Sequence, residues 1–346
     1  MLDKEETIMK EYTVAIVGAL GAVGSEMRKA LEERSLPIKK LKLLDIEQNV
    51  GTKLPFKGSD VEVELSCYEA FEGVDVAFFA VSDKVSRILA PEAVKRGCLV
   101  IDNSSAWRMD ENTPLVVPEV NPEALKEHHG IIANPNCSTI IAMVPLKPLH
   151  EKAGLKRVIA STYQAVSGAG IAGLDELRVQ TGQVLGGEPI EPKAFAHQIA
   201  FNLIPHIDYF EDNAYTHEEM KMLREGRKIL SLPDLKVACT CVRVPVFRSH
   251  SEAITIETER PITPDEAREI LSSAPGVKLV DCPETNTYPM PVDTSDQDLI
   301  YVGRIRDDIS SDGNGLTFWC CGDQIRKGAA VNAVQIAEKM VEMGLI

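Results

Sequence analysis

The residue with the clearest chemical potential is Cys137, in the hexapeptide NPNCST at residues 134–139. The apolar run before it, residues 130–133, has the length of a buried strand, and the pattern at 138–150 predicts a helix. A thiol at a helix N-terminus lies beside unpaired N–H groups and the positive end of the helix dipole, which favour the thiolate. A thiolate attacks carbonyl carbon, so Cys137 is a candidate nucleophile, although a lone cysteine at such a junction is commonly structural.

A glycine-rich loop at residues 18–24 is the second chemical feature. It follows a β-rich run at 12–17 and precedes good helix formers at 25–33. Glycines allow a tight turn and close approach of phosphate, while the helix N-terminus offers N–H donors to a pyrophosphate. Because the spacing is GxxGxxG rather than GxGxxG, the prediction depends on the strand and helix around the loop. The residues predicted to contact a dinucleotide are Gly18, Ala19, Leu20, Gly21, Ala22, Val23 and Gly24.

Composition indicates a cytoplasmic protein of two domains that acts on a small molecule. A length of 346 residues favours two domains, and 44% hydrophobic residues are enough for sizeable cores. Neither a membrane span nor a secretory signal is expected, because there is no apolar run of about 18 residues and residues 1–11 read as a polar extension. The net charge of −15 argues against nucleic acid or an anionic membrane as partner. The eight cysteines are expected to be free thiols, without zinc-site spacing, so no metal is expected.

Strands and helices alternate in the first half of the chain. Strands are predicted at residues 12–17, 41–44, 61–65, 74–81 and 98–102. This succession predicts a Rossmann-type, doubly wound parallel sheet in an α/β fold. After Cys137 the strand candidates are longer and grouped, at 157–165, 235–246, 253–258, 299–305 and 316–321. The grouping predicts a second, α+β domain with a mixed sheet, before a closing helix at 325–343.

Other polar residues suit the same chemistry, although each has a common structural explanation. Gln164 ends a predicted strand, where a polar residue is frequent. Arg243 and His250 offer a fork-shaped cation and a base, but residues seven apart on an unbroken strand face opposite ways. The intervening proline leaves a bulge or a strand end open. Glu218 and Lys221 lie three apart on one face of a predicted helix, as many solvent-exposed ion pairs do.

Eight segments carry a resemblance that covers nearly the whole chain. They are GALGAVG from residue 18, NSSAWR from 103, VVPEVN from 116, NPNCST from 134, STYQAVSGAG from 161, EEMKM from 218, RVPVFRSHSE from 243 and KGAAVNAVQIAE from 327. In this order they resemble the bacterial type of aspartate-semialdehyde dehydrogenase. The resemblance implies a dinucleotide-binding domain formed by residues 1–136 and 325–346, and a catalytic and dimerisation domain at 137–324. It also implies a homodimer, with assembly to a tetramer left open.

The resemblance further implies a reaction on the route to lysine, threonine, methionine and isoleucine. This is the reductive dephosphorylation of 4-phospho-L-aspartate to L-aspartate 4-semialdehyde, with Cys137 forming a thioester that hydride from a reduced nicotinamide converts to the aldehyde. His250 is implied as the acid/base, with a pKa suited to neutral pH, and Gln164 orients the acyl group. Backbone N–H groups at the start of the helix at Ser138, with the Asn136 amide, are expected to stabilise the oxyanion.

The remaining site residues are assigned through the same resemblance. Arg243 is expected to bind the substrate α-carboxylate as a fork, and Glu218 the α-ammonium. Lys221 and Arg108 are expected to bind phosphate. Further cofactor contacts are expected from Ser167, Gly168 and Asn332.

The choice between NADP and NAD is the point at which this sequence departs from the family. Members that use NADP carry a Ser-x-Arg-Ser-Ala-Gly stretch after the second strand, which holds the 2′-phosphate. Here Gln48 replaces the arginine, Ile46 and Asn49 replace the serines, and Asp45 lies about 20 residues beyond the last loop glycine. Asp45 is expected to accept a hydrogen bond from the ribose 2′-OH and to repel a 2′-phosphate. Asp45, Gln48 and Asn49 are therefore assigned to the cofactor and favour NAD, although Lys53 could act as a substitute cation.

Two alternative functions stay open. An N-acetyl-glutamyl-phosphate reductase shares the architecture, but its cysteine lies in a GCY context, whereas Cys137 lies in NCS. A non-catalytic nucleotide-binding paralogue would be expected to lose Cys137 or His250, and both are present.

A long segment at residues 186–215 is rich in proline, glycine and aromatic residues. Its length predicts a functional or interface loop. Because Phe195, Phe201 and Tyr209 are poor solvent-facing residues, we expect the segment to contact a second subunit.

Overall fold

The computed structural model describes residues 10–346, so residues 1–9 of the predicted polar extension lie outside the described part. The elements before Cys137 are β1 (Tyr12–Val17), α1 (Ala22–Glu33), β2 (Ile38–Asp45), β3 (Lys53–Phe56), β4 (Ser59–Leu65), β5 (Val76–Phe79), α2 (Asp83–Lys95), β6 (Leu99–Asp102) and β7 (Ile131–Ala133). The later elements are α3 (Cys137–Ala153), β8 (Leu155–Gln164), α4 (Gly170–Gly186), α5 (His217–Leu230), β9 (Lys236–Arg243), β10 (His250–Thr258), α6 (Pro264–Ser273), β11 (Val277–Leu279), α7 (Pro291–Thr294), β12 (Ile300–Asp307), β13 (Gly315–Gly322) and α8 (Val331–Glu342). Among residues 10–346, no helix combines the length and apolar character needed to cross a membrane.

The first seven strands form one sheet in the order β3-β4-β2-β1-β5-β6-β7. The strands from β4 to β7 run parallel, with separate cores against α1 and α2 on the two faces, which confirms the predicted doubly wound fold. β3 differs because it runs antiparallel to β4, joined by a turn at Lys57 and Gly58, whose φ angles are 47° and 78°. The strand order reverses between β1 and β5, so a crevice opens at their carboxyl ends beside the glycine-rich loop.

The last six strands form the predicted mixed sheet, in the order β11-β12-β13-β10-β8-β9. The pairs β8–β9 and β11–β12 are parallel, and the others are antiparallel. One face packs against α3, α5 and α6 around a core that includes Ile140, Ile254 and Phe318. The opposite face carries Ile159 and Tyr163, which are both exposed. The catalytic helix α3 therefore lies under the sheet, and one sheet face is left open.

The chain ends by returning to the first sheet. A π-helical turn, Arg326–Ala330, leads into α8, whose buried residues share a core with α1 and β1. The turn approaches the catalytic helix so closely that a Cβ added at Gly328 would lie 3.0 Å from the Cβ of Cys137. The closing segment thus contacts both the dinucleotide-binding sheet and the candidate nucleophile.

Candidate active site

Cys137 is the first residue of α3, shortly after β7. The N-cap residue Asn136 accepts hydrogen bonds through Oδ1 from the backbone N–H groups of Ser138 and Thr139, at 3.0 and 3.3 Å, which fixes the start of the helix. Its Nδ2 donates to Glu218 Oε1 at 3.0 Å. The N–H groups of Ser138 and Thr139 are thus bonded to Asn136, and the oxyanion role of the helix start stays a prediction.

Burial controls the ionisation of the Cys137 thiol. The residue keeps a partly accessible surface, but the protein packed around it raises the pKa of the thiol to about 12. Glu218 raises this pKa further, whereas Arg108, Arg243 and Lys221 lower it. The three cations do not overcome the burial, so the resting side chain is a thiol, and the thiolate that the helix N-terminus favours is not its resting form.

Three candidate residues converge because β8, β9 and β10 meet at one edge of the second sheet. Gln164 is the last residue of β8 and Arg243 the last of β9, and the two are partners in the parallel register. His250 begins β10, which pairs antiparallel with β8. The chain leaves the sheet between Arg243 and His250, around Pro245. Of the two possibilities at the proline, a bulge or a strand end, the structure has the strand end. Arg243 and His250 therefore lie on different strands, and their side chains can face the same cleft.

The backbone of Ala165 holds both His250 and Arg243. Its N–H donates to His250 Nδ1 at 3.0 Å, and its carbonyl oxygen accepts from Arg243 Nη1 at 2.7 Å. Because Nδ1 accepts a hydrogen bond, the neutral ring carries its proton on Nε2, which lies 3.4 Å from the amide nitrogen of Gln164. Burial, reinforced by Arg243, lowers the pKa of His250 to about 3, so the expected near-neutral pKa is wrong.

Helix α5 contributes buried charges rather than an exposed face. Glu218 and Lys221 form the ion pair expected from their spacing, at 3.0 Å, but Glu218 is only 7% exposed. Burial opposes its ionisation, yet Lys221 and hydrogen bonds from Asn136 and Gln164 outweigh burial and hold the pKa of Glu218 at about 2. An ionised Glu218 therefore connects the N-cap of α3 to the end of β8.

Arg108 is held on three sides, which leaves part of its guanidinium free for a ligand. Nε donates to the carbonyl of Asn134 at 3.0 Å, Nη1 to Glu225 Oε1 at 3.1 Å and Nη2 to the carbonyl of Asn103 at 2.8 Å. A guanidinium has five N–H groups, so two of them remain. Arg108 and Lys221 line the same cavity of about 500 Å³, where two fixed cations suit a phosphate group.

Two residues that organise the site do not stand out in the sequence. Glu225 accepts the backbone N–H of Asn136 at 2.7 Å with one oxygen and bonds Arg108 with the other. The backbone carbonyl of Asn134, three residues before Cys137, accepts a hydrogen bond from Arg108 Nε. The available signal for Glu225 is its spacing, seven residues after Glu218 and so on the same helical face.

The glycine-rich loop has the shape that a dinucleotide pyrophosphate requires. Gly18 has a φ of +83°, and a Cβ there would lie 2.4 Å from the carbonyl oxygen of Ala80. A Cβ on Gly24 would lie 2.1 Å from the carbonyl oxygen of Gly18. α1 begins after the N-cap Gly21, which has no side chain to cap the first N–H groups, so they stay open to a ligand. These residues therefore fit a bound dinucleotide.

Asp45 lies at the end of β2 beside that loop. Its carboxylate accepts the backbone N–H groups of Leu20 and Ile46, at 2.9 and 2.8 Å, and Asn49 Nδ2 at 2.9 Å. A carboxylate offers about four acceptor positions, so one is left for a ribose hydroxyl. Gln48 is exposed at the rim of this site.

Two of the three other predicted cofactor residues lie beside the catalytic centre. A Cβ added at Gly168 would lie 2.7 Å from Arg243 Nη1 and 3.4 Å from His250 Nε2, so only glycine fits without moving the guanidinium. The neighbouring Ser167 accepts a hydrogen bond from the side-chain amide of Gln324, a residue for which no role was predicted.

The third of these predicted cofactor residues, Asn332, lies behind the residues that line the cleft. It is fully buried, and its amide donates to Asn134 Oδ1 at 2.7 Å and to the carbonyl of Val116 at 3.0 Å. Its oxygen accepts from Lys327 at 2.8 Å. Asn332 is therefore fully bonded within the chain, and its contact with the cofactor stays a prediction.

The fold and the site together define a class of protein. A doubly wound sheet with an open, glycine-lined helix N-terminus is joined to a second domain whose strand ends surround a cysteine, which is the plan of a dinucleotide-dependent, thiol-based oxidoreductase. Within residues 10–346, no group of three or more His, Cys, Asp or Glu side chains is arranged to bind a metal ion.

Comparison with known proteins identifies the family. Residues 13–128 match the family model of the semialdehyde dehydrogenase NAD binding domain, and residues 146–327 match that of the semialdehyde dehydrogenase dimerisation domain. The chain is 53% identical to the aspartate-semialdehyde dehydrogenase of Aquifex aeolicus over 340 residues, which cover 97% of this chain and 99% of that protein. It is 51% identical to that of Bacillus subtilis over 341 residues, which cover 96% and 98% of the two chains. The crystal structure of aspartate semialdehyde dehydrogenase II from Vibrio cholerae, complexed with ASA, matches with a TM-score of 0.93 at 45% identity, over 96% of this chain and 99% of that one. The chain therefore belongs to the aspartate-semialdehyde dehydrogenase family.

Proposed function

We propose that this chain converts 4-phospho-L-aspartate to L-aspartate 4-semialdehyde and phosphate with NADPH or NADH, on the route to lysine, threonine, methionine and isoleucine. The observation that supports this most is the convergence of Cys137, Gln164, Glu218, Arg243 and His250 on one cleft. A substrate that is both an amino acid and an acyl phosphate requires a nucleophile and a proton carrier for its acyl group. It also requires an amide to orient that group and charges of both signs to bind its ionised groups.

Arg243 is proposed to bind the substrate α-carboxylate. It is only 6% exposed, its guanidinium donates one hydrogen bond, to the carbonyl of Ala165, and it has no carboxylate partner among residues 10–346. A buried guanidinium without a counter-ion favours an anionic ligand. Glu218 is proposed to bind the α-ammonium, and Arg108 with Lys221 the phosphate.

The Cys137 sulfur is proposed to bond to the acyl carbon as the bond from that carbon to phosphate breaks, and the thiol proton leaves with the phosphate as HPO₄²⁻, so that a thioester remains. A bound dinucleotide supplies the hydride. In its resting tautomer His250 offers Nε2–H to the acyl oxygen beside the Gln164 amide, and these two donors replace the occupied helix N–H groups as the proposed oxyanion site. A proton donated by His250 is proposed to leave from the same nitrogen, because Nε2 carries the proton and Nδ1 is bonded to Ala165.

An assay of the reverse reaction tests the proposal and its alternatives. Purified protein with L-aspartate 4-semialdehyde, phosphate and the oxidised cofactor should form the reduced cofactor, and the rate should depend on phosphate. Turnover only with N-acetyl-glutamate semialdehyde would indicate the reductase alternative. Cofactor binding without turnover of either substrate would indicate the non-catalytic paralogue.

We predict a preference for NAD over NADP. The prediction rests on Asp45, because its carboxylate has one acceptor position left for a ribose hydroxyl and would repel a 2′-phosphate of about −1.5 to −2 charges. Comparing kcat/KM for the two cofactors decides it, and a clear advantage for NADP would falsify this reading of Asp45. The variant Gln48→Arg is the matched control: it places a guanidinium at the exposed rim and should improve use of NADP while use of NAD changes little.

We also propose a homodimer that uses the open face of the second sheet and the segment at 186–215. Ile159 and Tyr163 are exposed on that face, and Phe201 and Tyr209 are 65% and 59% exposed in the segment. Phe195 is half-buried, with Arg243 stacked 5.8 Å above its ring, so its predicted interface role has a second explanation within the chain.

Changing Phe201 and Tyr209 together to serine should weaken the dimer, because their apolar surface would no longer be buried on association. Sedimentation velocity over a range of concentrations should show more monomer than for the unchanged protein. The control Ile88→Ser, an exposed position on α2 in the other domain, should leave the profile unchanged. A wild-type profile for the double variant would remove the segment from the interface.

A further inference from the structure

The Arg108–Glu225 ion pair lies at the edge of the proposed phosphate subsite. Both residues line the cavity of about 500 Å³, and their side chains are 9% and 2% exposed, with Nη1 and Oε1 3.1 Å apart. The second oxygen of Glu225 accepts the backbone N–H of Asn136 at 2.7 Å. One carboxylate therefore contacts a cation proposed to bind phosphate and also the residue before the nucleophile.

This arrangement is unfavourable for tight binding of a dianion. Lys221, the other cation assigned to phosphate, is likewise paired with Glu218 at 3.0 Å and with Asp208 at 2.9 Å, while Arg87 and Arg224 line the same cavity. The two cations thus face three carboxylates before any ligand arrives. Arg243 is different, because it has no carboxylate partner within the described residues. The contrast separates a guanidinium without a counter-ion from two cations, Arg108 and Lys221, that carboxylates already pair.

We propose that Glu225 is a positioning residue whose charge weakens the phosphate subsite, so that phosphate is released readily after the thioester forms. The proposal rests on the assignment of Arg108 to phosphate in the proposed function. Phosphate is the leaving group, and its retention would occupy the cleft and favour the back reaction. The bond from the Asn136 N–H to Glu225 keeps the turn before Cys137 in place while Arg108 binds phosphate through its two remaining N–H groups.

The size of the effect follows from the charge that is removed. Two charges about 6 Å apart interact appreciably at an effective dielectric constant of about 20, enough to change a dissociation constant by an order of magnitude or more. Removing the negative charge of Glu225 should therefore tighten phosphate binding by about 10-fold or more. A residue that only held Arg108 in place would act in the opposite direction, because its loss would weaken phosphate binding.

The test is the variant Glu225→Gln, which keeps an oxygen acceptor for the Asn136 N–H but removes the charge. In the reverse assay the KM for phosphate should fall about 10-fold. The Tm without phosphate should also fall, because Arg108 loses its buried counter-ion, and the rise in Tm on adding inorganic phosphate should be larger than in the wild type. An unchanged or raised KM for phosphate would overturn the proposal.

The control is Glu219→Gln, six residues earlier on α5. Glu219 is a similarly buried carboxylate that bonds the backbone N–H groups of Thr216 and Cys241, at 2.7 and 3.0 Å, but no arginine. Its loss should lower the Tm and leave the KM for phosphate unchanged. A fall in that KM equal to the one in Glu225→Gln would count against a specific role of Glu225.

Two further variants keep the outcomes distinct. If Glu225→Gln does not fold, Glu225→Asp withdraws the carboxylate from Arg108 by one methylene and should lower the KM for phosphate by a smaller factor; no decrease would overturn the proposal. Arg108→Lys tests the subsite itself, because loss of the fork should raise the KM for phosphate. If Arg108→Lys leaves the KM for phosphate unchanged, the assignment of Arg108 to phosphate fails. If Arg108→Lys raises that KM but Glu225→Gln does not lower it, only the proposed role of Glu225 fails.

Discussion

Replacing Cys137 with serine is expected to abolish turnover while the protein still folds and binds its dinucleotide. Burial already raises the pKa of this thiol to about 12, and a hydroxyl in the same surroundings is a far weaker acid, so the attacking alkoxide is not populated near neutral pH. Phosphate-dependent formation of NADH or NADPH should fall below detection. A titration of the dinucleotide, followed by its fluorescence, should give a wild-type Kd.

The control for this prediction is Cys282→Ser. Cys282 is another half-buried free cysteine, and its sulfur contacts Glu284 rather than any residue of the site. This variant should keep wild-type activity. If Cys137→Ser retained substantial phosphate-dependent turnover, the thioester mechanism would be wrong.

Replacing His250 with alanine should lower the rate by roughly 10²–10⁴-fold, the usual contribution of a positioned proton carrier. The pH dependence is the more specific measurement. Because burial and Arg243 lower the pKa of His250 from 6.5 to about 3, its titration should produce no inflection near 6.5 in the wild-type rate. An inflection there that disappears in His250→Ala would contradict the buried, neutral ring. The exposed His129, replaced by alanine, is the control and should change nothing.

The same lowered pKa links His250 to acid stability. A ring that folding keeps neutral contributes stability that is present above its ordinary pKa of 6.5 and is lost as the pH falls from there towards about 3. His250→Ala removes this contribution. Its free energy of unfolding should therefore depend less on pH in that window than the wild type, as urea titrations at several pH values would show.

The first domain was largely predictable because its elements follow from local pattern. β5 lies in the continuous apolar run at residues 76–81, as expected of a strand covered on both faces. β3 was not predicted, because it is a short edge strand that contains Pro55 and lacks an apolar run. The hairpin that joins it to β4 depends on two residues with positive φ, and one of them, Lys57, is an uncommon choice there.

The candidate site was predictable where its residues are close in the chain. The turn before Cys137 is local, so its position at a helix start follows from the sequence. Helix α5 is rich in charged residues and so has the composition of a solvent-exposed helix, yet Glu218 and Glu225 are buried against Asn136 and Arg108. Those contacts join distant parts of the chain, and no local pattern contains them.

The ionisation states were not predictable for the same reason. The pKa values of Cys137 and His250 are set first by how much protein surrounds each group, and only the tertiary structure fixes that quantity.

The shared peptide group of Ala165 limits how the substrate range of this enzyme can change. Its N–H orients the ring of His250 and its carbonyl orients the guanidinium of Arg243. The positions of the two side chains are therefore coupled through Ala165. A mutation that shifts Arg243 to accept a longer or differently charged substrate would strain the histidine as well. Evolution, or an engineer, would reach new substrates more easily from the α5 side of the cleft, where Glu218 and Lys221 are held by side chains rather than by this peptide.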